Sequence, residues 1–241
     1  MRKSLLVFAL LLFAAPVHAA TIEVHSAAQL FISGTPTFSG NGSLGNATVV
    51  MQITIFGAVL NHSNTVPFGC GLCQIADGGG IITPFGQIGG DAGAFAVGVT
   101  KAAGEIFSNG TPTRIINRAA EDITYILTGS GAGTFHFTAG YTVFATCSDS
   151  NHSNAFAQVL LSGGGSTSEK LIQCGDPSPI SGTLSVDFQA TATPQGTPVT
   201  IQMRADTLTA VPEMGSAALM GIGGLGLIAA RKRISAEERP L

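Results

Sequence analysis

Two stretches late in the chain set the tightest limit on its fold. In "TLSVDFQA", Leu184, Val186 and Phe188 alternate with Ser185, Asp187 and Gln189. In "PVTIQMRA", Val199, Ile201 and Met203 alternate with Thr200, Gln202 and Arg204. A period of two sends alternate side chains to opposite faces, so each stretch reads as a strand with one buried face. "TIEVHS", "ATVVMQITIFGAVL", "AFAVGVT", "ITYILTG", "TFHFTAGYTVFAT", "AFAQVLLS" and "EKLIQC" are also rich in β-branched and aromatic residues. Turn clusters such as "SGNGSLGN", "GSGAG", "SGGGSTS", "GDPSPISG" and "TPQGTP" separate them. "TKAAGEIF" and "NRAAEDI" are the two short helix candidates. Many short strands with Gly/Pro turns predict an all-β body, a β-sandwich or jelly roll. The stretch 61–91, with "VPFGCGLC", "ADGGG" and "FGQIGG", reads as a long loop with a strand only around Ile81 and Ile82.

The two ends carry a different kind of signal. Met1, Arg2 and Lys3 precede an apolar run over 5–15, then Pro16 and "VHAA". That order is a secretory signal peptide, 1–20, with Val17 and Ala19 at the −3 and −1 positions of a cut after Ala19, and a cut after Ala20 as the alternative. Its apolar core is expected as a helix and is too short for a span, which takes about 20 residues. Residues 214–230 are uncharged and are followed at once by Arg231, Lys232 and Arg233. As a helix they reach ~26 Å, the short end of a spanning segment. Basic clusters favour the cytoplasmic side, so the body lies outside and the tail 234–241 inside. Gly221, Gly223 and Gly226 also match a dinucleotide fingerprint, but no strand, crossover helix or second strand follows. The match at Gly40, Gly42 and Gly45 precedes a strand instead of a helix.

Val211, Pro212 and Glu213, the apolar segment and the basic stop together resemble the PEP-CTERM sorting signal, also catalogued as the ice-binding protein C-terminal domain. Met214 stands where that family usually has a second proline. The resemblance covers 211–233 only. It implies recognition by exosortase, a membrane protease-transpeptidase, transient membrane anchoring through the C-terminal helix, and delivery to the cell surface or extracellular matrix. Carriers of the signal are often linked to extracellular polysaccharide. The expected organisation is therefore a signal peptide, an exported domain over 21–205, a short linker over 206–210, the sorting segment and the tail.

Between the ends, five basic residues (Lys101, Arg114, Arg118, Lys170, Arg204) face eleven acidic ones. The acidic surplus argues against a nucleic-acid partner, which requires a basic footprint. The four cysteines, Cys70, Cys73, Cys147 and Cys174, are candidates for structural disulfides in an exported chain. Four cysteines allow three pairings; the simplest joins Cys70 to Cys73 and Cys147 to Cys174. Cys70-Gly71-Leu72-Cys73 also matches a redox CxxC, and the four together a zinc site, so a Cys-based metal or redox module is one rival. Thioredoxin-like context is missing and export disfavours zinc thiolates. His62 and His152 each sit in "NHSN", which reads as two unrelated polar turns. His136 is expected on the solvent face, opposite Phe135 and Phe137. No nucleophile elbow, HExxH or P-loop is present, and Glu121 and Asp122, being adjacent, would face opposite sides of a strand. The expectation is a non-enzymatic structural, adhesive or polysaccharide-associated protein with no cofactor and no metal. A secreted enzyme acting on polysaccharide is the other rival.

Overall fold

The computed structural model describes residues 22–45, 47–56, 58–60, 65–83, 86–108, 113–150 and 153–211. The expected signal helix, Pro212, Glu213, the expected transmembrane helix 214–230, the stop at Arg231, Lys232 and Arg233, and both "NHSN" histidines lie outside them. Among the described residues no helix is long and apolar enough to cross a membrane.

The fold is all-β and antiparallel. Its fourteen strands are β1 (Ile22–Ile32), β2 (Thr37–Phe38), β3 (Asn41–Leu44), β4 (Thr48–Ile55), β5 (Ala58–Leu60), β6 (Thr65–Pro67), β7 (Gln74–Thr83), β8 (Gly86–Phe95), β9 (Val99–Ser108), β10 (Thr113–Cys147), β11 (Asn154–Gly163), β12 (Ser166–Gln173), β13 (Ile180–Ala192) and β14 (Thr197–Val211). At 35 residues, β10 would extend ~115 Å if straight, far beyond a single core. It bends at Gly129 (φ 147°) and Gly131 (φ 96°), where a side chain would be strained. The turn "GSGAG" expected here is thus a corner inside one strand.

The bend makes β10 the spine of two half-sheets. Its first half pairs with β14 on one side and with β3 and β4 on the other. Its second half pairs with β13 on one side and with β1 and β2 on the other. β9, β8 and β7 extend the β1 side, and β11 and β12 extend the β14 side. One continuous sheet is therefore folded over, and β1 and β9 pack on β14 across the interior. Phe135, Phe137, Leu127, Ile123, Ile201 and Met203 fill the space between the halves. Tyr125 touches Phe68, Phe135 and Phe137 there.

Three expectations are corrected. "TKAAGEIF" and "NRAAEDI" are strand, in β9 and β10, because their alternate residues (Thr100, Ala102, Gly104 and Ile106; Asn117, Ala119, Glu121 and Ile123) are buried between the half-sheets. Burial at period two overrides the helix propensity of alanine. The stretch 61–91 holds a hairpin, β7–β8, instead of a long loop: glycine leaves no side-chain pattern, yet its backbone pairs from Gln74↔Phe95 to Thr83↔Gly86. Residues 206–210, expected as a linker, finish β14, paired with β10 and, up to Ala210, with β11. The folded body reaches Val211, which pairs with Thr113.

Candidate functional site: a glycine-floored trough

The outer face of the half-sheet built on β1 has a cross-strand row with small residues at three of its five positions. Gly78 on β7 lies beside Asp91 on β8, Asp91 beside Ala103 on β9, Ala103 beside Ala27 on β1, and Ala27 beside Phe144 on β10. Taller rows flank it. On one side stand His25 and Glu105, opposite each other; on the other stand Gln29 and Lys101, also opposite each other. Toward β7 and β8 both flanks fall away into Gly80, Gly89, Gly93 and Ala76. Low centre and raised sides make an open trough of about 550 Å³ around His25, Gln87, Asp91, Glu105 and Phe144. Two smaller depressions, one bordered by Asp77, Phe95 and Lys101 and one by Gln29, Thr142 and Phe144, meet it at Asp91. Five strands at ~4.8 Å spacing give a length of ~19 Å.

The trough wall is polar and mostly acidic. His25 Nε2 donates to Glu23 Oε1 at 2.7 Å, and His25 Nδ1 lies 3.9 Å from Glu105 Oε2. The His25 ring stands edge-on to Phe107. Lys101 Nζ sits 5.8 Å from the centre of the Phe95 ring. Gly89 lets the Glu105 side chain lie close over β8: a Cβ there would come 2.7 Å from Glu105 Oε1 and push that side chain aside.

Beneath the trough, the opposite half-sheet holds it in place. Asn117, fully buried on β10, donates from Nδ2 to Ala103 O at 2.5 Å and accepts at Oδ1 from Phe56 N at 3.0 Å. Gly90 leaves it room, since a Cβ would come within 2.2 Å of Nδ2. Glu121 is also fully buried and accepts at Oε1 from Phe95 N at 2.6 Å. The Val99 N–H, at the other end of the β8–β9 turn, also favours the ionised Glu121 carboxyl, while its Oε2 is buried without a hydrogen-bond partner. Burial pushes its pKa up to about 8, and the two backbone amides only partly oppose that. Asp122 points the other way and accepts from Gln202 Nε2. The pair does not converge on a common substrate position.

The other candidate residues lie away from the trough. His136 is on the same outer face near the β13 edge, its Nδ1 bonded to Asp187 Oδ1 at 2.6 Å, while Phe135 and Phe137 are fully buried behind it. Disulfides join Cys70 to Cys73 and Cys147 to Cys174. With all four sulfurs paired, neither bridge offers a thiolate to zinc. Among the described residues no group of three or more His, Cys, Asp or Glu side chains is placed to hold a metal. The sequence reading missed the trough because its residues come from five separated segments; the one local sign was the density of Gly and Ala at 76–80, 89–93 and 102–104. No known family, curated protein or solved structure matches the chain.

Proposed function

We propose that the folded-over sheet is the β-sandwich body of an exported, non-enzymatic protein of the cell surface or extracellular matrix, delivered by exosortase and associated with polysaccharide. The trough carries this reading. It is open and elongated, its floor lets a sugar ring approach the backbone, and carboxylate, amide and imidazole groups line it within reach of ring hydroxyls. Phe144 lines one end of the trough, and Phe95, with Lys101 over its ring, lines the adjoining depression. The acidic wall favours neutral or amino-bearing glycans over uronic-acid polymers, which would meet Glu23, Glu105 and Asp91.

Two experiments test it. Binding of the purified protein to immobilised neutral, amino-bearing and anionic glycans is measured beside the variant Ala103→Arg, which fills the floor from the solvent side. Affinity for the neutral or amino-bearing set is expected to drop at least about tenfold, a loss of ~1.4 kcal/mol. Equal binding by the variant would remove the trough from the account, and release of shortened product would favour the secreted-enzyme reading. For delivery, mass spectrometry of the mature chain should show termini near Ala20 and Pro212 in cells with exosortase. An intact "ERPL" end in cells with and without the enzyme would count against sorting.

A further inference from the structure

Among the described residues four strand edges end the folded-over sheet, and they are not equally guarded. β13 is partly covered by the β11–β12 hairpin, where Ser166 Oγ donates to Asp187 O at 2.7 Å. β4 has β5 and β6 on its outer side. β12 carries Glu169 and Lys170, the charged guard that keeps an edge from pairing. β7, among the described residues, has none of these. Among the described residues it pairs only with β8, and its one charge is Asp77, whose Oδ1 accepts the neighbouring Gly78 N–H. The most exposed large aliphatic side chains among the described residues gather here: Leu72 (94%) in the turn before β7, then Ile82 (83%) and Ile81 (53%) on it. A ten-residue edge with exposed isoleucines is a template for strand addition.

We infer that β7 pairs antiparallel with β7 of a second copy of this chain, making a two-fold dimer whose sheet runs unbroken across both molecules. The second copy is favoured by self-complementarity. A two-fold axis normal to the sheet keeps outer face beside outer face, so only residues of one face oppose each other. Any register centred on a residue meets this condition, the one centred on Gly78 among them. That register sets Ile75 against Ile81 on the core side, Gln74 against Ile82 outside, and Asp77 against Gly79, which has no side chain to clash. Gly78 is also the edge end of the trough's floor, so the same register lays the two troughs end to end. Ten strands then share one groove of ~43 Å. The dimer rests on the edge and the trough's geometry, whatever the trough holds.

The test is the mass of the full mature protein by sedimentation equilibrium, in one buffer and detergent throughout. Ile82→Lys and Ile82→Glu add a charge at an exposed site on β7; Leu171→Lys adds one at the half-exposed site on β12. Thermal unfolding of each variant reports whether it remains folded, and two opposite charges at position 82 guard against one failing to fold. Expected are a dimer for the parent and Leu171→Lys, and a dimer dissociation constant raised at least about tenfold for both position-82 variants. A monomeric parent at its highest soluble concentration, dimers that survive both changes at position 82, or dissociation by Leu171→Lys to the same degree would each overturn the inference.

Discussion

The unfolding free energy falls as pH rises from about 4.5 to about 8, and Glu121→Gln removes most of that fall. The cause is one carboxyl. Glu121 is fully buried between the half-sheets, and desolvation moves its pKa from 4.5 to about 8. Below 4.5 it is protonated in both folded and unfolded chains, and its contribution to stability is fully present. Between the two values the unfolded chain releases the proton and the folded chain keeps it, so each pH unit costs the folded state about 1.4 kcal/mol. Above 8 both forms are ionised and the loss is complete, at an upper limit of about 5 kcal/mol. Glutamine keeps the carbonyl that accepts from Phe95 and cannot ionise. Denaturant unfolding of parent and variant at several pH values isolates the term, because the other titrating groups are common to both. Parallel curves for the two proteins would show that Glu121 ionises freely in the folded state.

This carboxyl marks the boundary of what the sequence made legible. Alternation at Val199, Ile201 and Met203 told the buried face of β14 correctly, and all three are buried. Leu184 and Val186 on β13 are buried as their spacing requires, and His136 faces out as its flanking phenylalanines demand. Each of those inferences needs only neighbours along one strand. Adjacency also told that Glu121 and Asp122 diverge, but not which one enters the core. That choice depends on β10 passing through both half-sheets, a consequence of the bend at Gly129 and Gly131. The β7–β8 hairpin was hidden for a related reason: pairing through glycine backbone leaves no hydrophobic period. The trough combines both kinds of concealment, since the low positions of its floor are Gly78, Ala103 and Ala27 and its other lining side chains come from β1, β8, β9 and β10.

Replacing both Cys147 and Cys174 by alanine is expected to cost about 3–4 kcal/mol and to lower the unfolding midpoint by roughly 10 °C, much more than the paired change at Cys70 and Cys73. The bridges differ in the chain they close: the sequence separations are 27 and 3. In the chain-entropy account the longer loop removes more freedom from the unfolded state. Position reinforces the difference. Cys147 ends β10 opposite Val24, in the half-sheet that bears the trough. Cys174 follows β12 in the other half-sheet, where its N–H donates to Ala155 O at 3.1 Å. The bridge therefore fastens the β11–β12 hairpin, which partly covers the β13 edge, to the end of the spine. The Cys70–Cys73 bridge only closes the turn leading into β7, where Cys73 N already donates to Cys70 O at 3.2 Å. Denaturant melts of the two double variants, compared at one pH, measure the difference directly. Equal losses would mean that the bridges act through local native contacts instead of through the length of unfolded chain they restrain.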